Sequence, residues 1–181
     1  MAAHSLLVLG GARSGKSRYA QDRAEALEGR HIFIATAQAH DDDMRDRIAR
    51  HRADRDDRWS TVEAAHALSA AIDAHRGTGA IVLVDCLTLW ASNLLLAGRD
   101  MDLAAAMLHA SIHRFEGDLI LVSNEVGSGI VPENALARRF RDIAGRLNQR
   151  VAAAVSEVQL VVAGLPLAIK GGSAGHPAVR G

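Results

Sequence analysis

The chain has 181 residues, 49% of them hydrophobic, which is enough for one sizeable core and short for two. Its 21 basic and 21 acidic residues give a formal net charge of zero, so no broad basic surface for nucleic acid or an anionic membrane is expected. A single cysteine, Cys86, excludes an intrachain disulfide and a zinc site built on several cysteines. No secretory leader and no apolar run of ~20 residues is seen. We therefore expect a cytoplasmic protein without a membrane span, with one domain over residues 1–170.

The first predicted elements are a buried strand and a helix joined by a glycine-rich loop. Leu6–Leu9 is an apolar run typical of a parallel strand, and helix-favouring residues run from Lys16 to Leu27. The loop between them reads GGARSGKS and satisfies the GxxxxGK[ST] pattern of a P-loop. Its glycines let backbone N–H groups turn towards a phosphate, Lys16 would reach the outer phosphates, and the Ser17 hydroxyl would ligate Mg²⁺. The predicted phosphate-binding residues are Gly10, Gly11, Ala12, Arg13, Ser14, Gly15, Lys16 and Ser17.

A second strand, His31–Ala35, follows the helix and completes a βαβ unit. This unit predicts a parallel sheet with a right-handed crossover. Thr36, Ala37 and Gln38 leave the strand at its carboxyl end, which is the edge where open α/β sheets bind ligands. Their position alone makes them candidates for the site.

The next segment, Asp41–Arg55, is predicted to be a helix that opens with carboxylates and then becomes rich in arginine. Its only apolar row is Met44 and Ile48, and His51 continues that row. One interpretation is a solvated surface helix held by ion pairs. The other is an arginine-lined arm that presents His51 to a phosphate, with the neighbouring cations keeping the imidazole neutral and nucleophilic.

An apolar strand, Ala80–Val84, ends in Asp85. This is the Walker B arrangement, in which a strand delivers a carboxylate beside the P-loop to hold Mg²⁺. The alternative is that Asp85 caps the following helix. Trp59–Glu63 is a possible short strand, His66–Ala74 a possible short helix, and Cys86 is expected to be inert core.

Helices are predicted at Thr88–Leu96 and Asp102–Phe115. His109 and His113 are spaced i, i+4 on the second helix, which is compatible with a metal site or with two exposed histidines. A strand is then predicted at Leu119–Ser123. The residues that follow it, Asn124–Gly129, are predicted to form either a ligand-binding turn or a capped loop.

The last predicted elements are a long helix and two strands. The helix begins at Pro132 and runs to about Ala154, with a predicted core stripe and an opposite arginine face that is solvated or contacts another subunit. Val158–Val162 is a strand, and Leu165–Ile169 is predicted to return as an antiparallel edge strand, for which Pro166 is suited. Residues 171–181 are rich in glycine and predicted to be disordered. The stripe consists of Leu136, Phe140, Ile143, Leu147, Val151 and Val155, and the arginine face of Arg139, Arg146 and Arg150.

The succession of these motifs resembles the cobinamide kinase/cobinamide-phosphate guanylyltransferase family. The resemblance covers the chain up to Lys170 and rests on GGARSGKS, IATAQ, DDDM-x2-RI-x2-HR-x2-R, W-x-TVE, the strand ending at Asp85, SNEVGSGIVPEN and RRFRDIAGRLNQR. It implies a P-loop NTPase of the α/β class, with a RecA-like, mostly parallel sheet flanked by helices, and a homotrimer. It also implies phosphorylation of adenosylcobinamide with ATP or GTP, followed by GMP transfer from GTP through a guanylyl-histidine, which gives adenosylcobinamide-GDP and pyrophosphate.

By motif position, the resemblance makes His51 the histidine that carries GMP. The P-loop pattern makes Lys16 the predicted catalytic cation of the kinase step. Some members have two adjacent histidines where this chain has Arg50 and His51, and some have glutamate in place of Asp85. The implied nucleotide contacts outside the P-loop are Ala35, Thr36, Ala37, Arg52, Ala53, Asp54, Arg55, Glu63 and Asp85. The Mg²⁺ ligands predicted from the two Walker motifs are Ser17 and Asp85.

Two other functions compete with this one. The first is a one-step P-loop kinase of a small molecule, in which Asp41–Arg55 is a lid. The second is a GTP-dependent switch protein, which is disfavoured because lysine occurs only at positions 16 and 170 and leaves no N-K-x-D guanine motif.

Overall fold

The computed structural model of the protein describes residues 4–37 and 57–171. Helices and strands alternate along most of this part of the chain, as the sequence predicts. None of the helices described is long and apolar enough to cross a membrane. The elements are β1 (His4–Gly10), α1 (Lys16–Glu25), β2 (His31–Ala35), β3 (Trp59–Glu63), α2 (Leu68–Asp73), β4 (Ile81–Asp85), α3 (Leu87–Leu96), α4 (Met101–Arg114), β5 (Asp118–Asn124), α5 (Ala135–Ala154), β6 (Glu157–Val162) and β7 (Leu165–Lys170).

The strands form one seven-stranded sheet in the order β3-β2-β4-β5-β1-β6-β7. All neighbouring pairs are parallel except β6 and β7, which are antiparallel. The mostly parallel α/β fold and the antiparallel edge strand are therefore confirmed. Pro166 lies on the edge strand, where a missing N–H does not interrupt the sheet.

Apolar side chains alternate between the two faces of the sheet and form two cores. On one face, Leu6 and Val8 of β1 pack with Ala20 and Ala24 of α1. On the other face, Leu7 belongs to the core that α2, α3, α4 and α5 cover. The sheet is thus enclosed between helices, as its continuous apolar strands require.

An ion pair at the amino edge of the sheet fixes the end of α1 to β6. The Arg23 guanidinium donates to both carboxylate oxygens of Glu157 at 2.9 Å, and Gln159 Nε2 donates to Oε1 at 2.8 Å. The hydrogen bonds from Arg23 lower the pKa of Glu157 to about 2, although burial opposes that shift. This pair lies at the opposite edge from the P-loop.

The long helix α5 begins at Ala135 and not at Pro132 as predicted. Asn134 is the N-cap, and its side chain accepts hydrogen bonds from the N–H groups of Leu136 and Ala137. Pro132 lies two residues before Asn134, and proline favours the first turn of a helix whereas asparagine favours the cap. The cap defines the start.

The predicted core stripe of α5 is correct except at its first member. Leu136 is 51% exposed, because it lies in the first turn, ahead of the part of the helix that packs on the core. Phe140 packs against the core partly buried, and the four later members are buried. Arg150, predicted to be solvated or in a subunit contact, donates to Asp102 of α4 at 2.6 Å.

Candidate active site

The P-loop connects β1 to α1 at the carboxyl edge of the sheet, as predicted. Gly15 is the N-cap of α1 and has φ 91°, and Arg13 has φ 55°. A Cβ on Gly10 would lie 2.3 Å from Ser14 Oγ and 2.7 Å from the carbonyl oxygen of Val161. Glycine is therefore required at position 10 for space and at position 15 for backbone conformation.

Ser14 connects the P-loop to the turn between β6 and β7. Its carbonyl oxygen accepts a hydrogen bond from Gly164 N at 2.8 Å. Its hydroxyl oxygen is buried and has no hydrogen-bond partner within the described residues. An unsatisfied buried hydroxyl costs free energy, so a phosphate oxygen is a suitable partner for Ser14. This loop fits a nucleotide phosphate.

Lys16 is buried in the loop, with only 9% of its surface exposed. Its Nζ donates to the carbonyl oxygen of Gly11 at 3.1 Å, so the ammonium group lies against the loop's own backbone. A buried ammonium group is costly unless oxygen atoms solvate it. Phosphate oxygens would supply such solvation together with an opposite charge.

Asp85 ends β4, and β5 separates that strand from β1. Burial and the negative charge of Asp85 raise the pKa of the Cys86 thiol to about 11, and the positive charge of Lys16 acts in the opposite direction. Asp85 and Lys16 thus act in opposite directions on the same thiol, and the role of Asp85 as a Walker B carboxylate stays a prediction. The N-cap of α3 is Cys86, so Asp85 does not occupy the capping position. Cys86 is buried, as expected.

The segment after β2 is tied to two neighbouring elements. The Thr36 hydroxyl accepts from Cys86 N at 2.8 Å and donates to Cys86 O at 2.7 Å. Asn93 Nδ2 donates to the carbonyl oxygens of Thr36 and Ala65. Thr36 thus aligns the ends of β2 and β4, and its predicted nucleotide contact, like those of Ala35 and Ala37, stays a prediction.

Glu63 lies at the carboxyl end of β3, at the far edge of the sheet. Four strand steps separate β3 from β1, or roughly 19 Å at the usual spacing between strands. Glu63 is therefore too far from the P-loop to touch the same phosphate as Lys16. A nucleotide that contacts both would have to extend along the carboxyl edge.

The end of β5 is held by a closed ring of hydrogen bonds that the sequence analysis missed. Asn124 N donates to Thr88 Oγ1 at 2.7 Å, and the Thr88 and Ser123 hydroxyls are 3.2 Å apart. Ser123 donates to Asn148 Oδ1 at 2.7 Å, and Asn148 Nδ2 donates to Asn124 O at 3.1 Å. The one sequence signal was a polar residue, Asn148, inside the buried face of α5. The ring fixes the backbone from which Glu125 projects.

Glu125 N donates to the carbonyl oxygen of Gly10 at 3.0 Å, so the loop after β5 adjoins the P-loop. The predicted nucleophile His51 and the predicted contacts Arg52, Ala53, Asp54 and Arg55 lie outside the described residues, as does the predicted helix Asp41–Arg55. Residues 172–181 of the predicted tail lie outside them too.

The two histidines of α4 are exposed and contact each other. His109 Nε2 and His113 Nε2 are 3.2 Å apart, close enough for one ring to donate to the other. Within residues 4–37 and 57–171, no group of three or more His, Cys, Asp or Glu residues is arranged to hold a metal ion. The pair accordingly has no third ligand in that part of the chain.

The sequence profile of one family, CobU, described as cobinamide kinase / cobinamide phosphate guanyltransferase, matches residues 6–169. The chain belongs to this family. Members of the CobU family from three bacteria are similar over nearly their whole length. The bifunctional adenosylcobalamin biosynthesis protein CobP of Pseudomonas aeruginosa is 47% identical over 168 residues, which cover 91% of this chain and 96% of the relative. The bifunctional CobU proteins of Salmonella typhimurium and Escherichia coli are 44% and 45% identical over 183 residues, with coverage of 91% and 99%.

Solved structures with little sequence similarity share the fold of this CobU family member. An ATPase from the type III secretion system of pathogenic bacteria gives a TM-score of 0.56 at 12% identity, over 87% of this chain and 50% of its own. A protein from Pyrococcus horikoshii OT3 gives a TM-score of 0.56 at 8% identity, over 92% of this chain and 86% of its own. The likeness to the ATPase supports the P-loop NTPase fold and no particular reaction.

Proposed function

We propose that this protein phosphorylates adenosylcobinamide with ATP or GTP and then transfers GMP from GTP to the product, giving adenosylcobinamide-GDP and pyrophosphate. The observation that carries the proposal is the family match over residues 6–169, which includes the P-loop and Asp85. The family's description names both activities. The geometry around Lys16 supports a phosphate site in which both could begin.

In the kinase step, the hydroxyl oxygen of the cobinamide side arm attacks the γ-phosphorus, and the bond to the β-phosphate oxygen breaks. Lys16 supplies positive charge where charge redistributes on the transferred group, and the backbone N–H groups of the P-loop orient the phosphates. The protein has little covalent chemistry to perform in this step. Most of the rate enhancement therefore comes from positioning the phosphates and neutralising their charge. We expect Ser17 and Asp85 to hold Mg²⁺, which would neutralise phosphate charge when bound.

In the guanylyl step, an imidazole nitrogen of His51 attacks the α-phosphorus of GTP, and pyrophosphate leaves. A phosphate oxygen of adenosylcobinamide phosphate then attacks the same phosphorus, and the phosphorus–nitrogen bond breaks. Without a covalent intermediate, one crowded phosphate anion would have to displace pyrophosphate from another in a single step. The intermediate replaces that step by two successive displacements. Arg52 and Arg55 are proposed to supply positive charge to the phosphates in both.

The experiment is to incubate the protein with GTP radiolabelled on the α-phosphate and, in a parallel reaction, on the γ-phosphate. We expect acid-labile α-label on the protein and no retained γ-label, because the β- and γ-phosphates leave as pyrophosphate. His51→Ala should retain no label, and His109→Ala is the matched control because that histidine is exposed on α4. A parent protein that phosphorylates cobinamide but never retains α-label would favour the one-step kinase. The homotrimer and the cytoplasmic location also stay predictions.

A further inference from the structure

Glu125 is an acidic residue at the carboxyl edge of the sheet, where its backbone contacts the P-loop. It directly follows β5, the strand beside β1, and its N–H donates to Gly10 O at 3.0 Å. Asp85, by comparison, ends a strand two positions from β1, and Glu63 ends one four positions away. Of these three acidic residues, Glu125 follows the strand closest to the one that carries the P-loop.

The backbone that carries Glu125 is fixed by hydrogen bonds to side chains of α3 and α5. Asn124, the preceding residue, gives its N–H to Thr88 Oγ1 and its carbonyl oxygen to Asn148 Nδ2. These bonds belong to the closed ring described above, in which each hydroxyl and amide group has a partner. Groups that act on reacting atoms need such support, because small displacements of a catalytic group are costly.

The side chain of Glu125 is half buried and held at one oxygen only. Gly127 N donates to Oε1, and within the described residues no hydrogen-bond partner is found for Oε2. The carboxylate is thereby oriented while one oxygen stays available to accept a proton. Its fixed place beside Gly10 distinguishes it from Glu133 of the same loop, which is exposed.

From this geometry we propose that Glu125 is the catalytic base of the kinase step, an inference that rests on the proposed function. As the acceptor hydroxyl oxygen bonds to the γ-phosphorus, its proton moves to Glu125 Oε2, and the nucleoside diphosphate leaves with the electrons of the broken phosphorus–oxygen bond. The protonated carboxyl group then returns its proton to water. The guanylyl step needs no such base, because its acceptor is a phosphate that is already anionic.

The test measures the kinase reaction and the GMP transfer separately in the full-length enzyme. Glu125→Gln keeps an oxygen that can accept from Gly127 N but loses the ability to take a proton. We expect its kcat for phosphorylation of adenosylcobinamide to fall ~10²-fold or more, the usual contribution of a positioned base. KM for both substrates should stay within about threefold, and GMP transfer to supplied adenosylcobinamide phosphate should stay within about threefold of the parent rate.

Glu133→Gln is the matched control and should leave both rates unchanged. The inference is overturned if Glu125→Gln retains the parent kinase kcat. It is also overturned if both activities fall together, since that result assigns Glu125 to the support of the loop. A parent protein that lacks the kinase activity overturns the proposed function itself, and this is recognised before any variant is compared.

Discussion

The N–H of Gly164, in the turn between β6 and β7, donates a 2.8 Å hydrogen bond to the carbonyl oxygen of Ser14 in the P-loop. The turn consists of Ala163 and Gly164, with φ 51° and 80°, values typical of a tight two-residue hairpin. A Cβ on Gly15 would lie 3.1 Å from Gly164 Cα. The edge hairpin therefore supports the phosphate loop from outside the nucleotide site.

The first prediction concerns the two glycines that open the P-loop. Gly10→Ala should lower the free energy of unfolding by about 1–3 kcal/mol, because its methyl group would meet Ser14 Oγ and a backbone oxygen at Val161. Gly11→Ala is the matched control, since a Cβ there meets nothing within 4 Å. Urea unfolding measures both. Equal destabilisation of the two variants would contradict the crowding seen at Gly10.

The second prediction concerns the buried ammonium group of the P-loop. Lys16→Ala should reduce phosphoryl transfer ~10²-fold or more, because a fixed cation is lost where charge redistributes in the transition state. It should also slow GMP transfer. Steady-state assays of both reactions measure the effect, with Arg18→Ala as control because that side chain is 80% exposed on the same helix. Kinase turnover within about threefold of the parent would contradict the P-loop assignment.

The third prediction concerns the carboxylate at the end of β4. Asp85→Asn should raise the Mg²⁺ concentration needed for half-maximal activity by about tenfold or more, while circular dichroism stays unchanged. Asp118→Asn is the control, because Asp118 lies at the opposite, amino end of the neighbouring strand. An unaltered Mg²⁺ titration would show that Asp85 does not act through the metal.

The fourth prediction concerns the ion pair at the amino edge. The pKa of Glu157 is lowered from 4.5 to about 2, so its stabilising contribution is fully present above pH 4.5 and is lost as the pH falls through 2. Glu157→Gln should lower the free energy of unfolding by about 3 kcal/mol at pH 7, because a tenfold change in proton affinity corresponds to about 1.36 kcal/mol. Urea unfolding from pH 7 to pH 2 should show parent and variant converging. A difference in the free energy of unfolding that does not change with pH would contradict the linkage. Glu116→Gln is the control, because Glu116 is exposed, and it should unfold like the parent at every pH.

Much of the fold was predictable because its signals are local. Each signal can be recognised within a few consecutive residues: the apolar runs, the spacing of Gly15 and Lys16, and the position of Asp85 at a strand end. They predict the βαβ unit, the parallel sheet and its ligand edge. Even Pro166 indicated the edge strand.

The contacts that hold the site in place were not predictable, because they join residues far apart in sequence. Glu157 and Arg23 are separated by 134 residues, and the bond from Gly164 to Ser14 joins opposite ends of the chain. Periodicity shows which face of α5 is buried, but not that Asn148 closes a ring with the end of β5.

Product analysis in a single reaction tests the central claim most directly. Purified protein is incubated with adenosylcobinamide, ATP, GTP and Mg²⁺, and the corrinoids are separated over time. The parent should form adenosylcobinamide phosphate first and adenosylcobinamide-GDP second, while His51→Ala should accumulate the phosphate and stop there. If His51→Ala still forms adenosylcobinamide-GDP at the parent rate, the guanylyl-histidine route is contradicted.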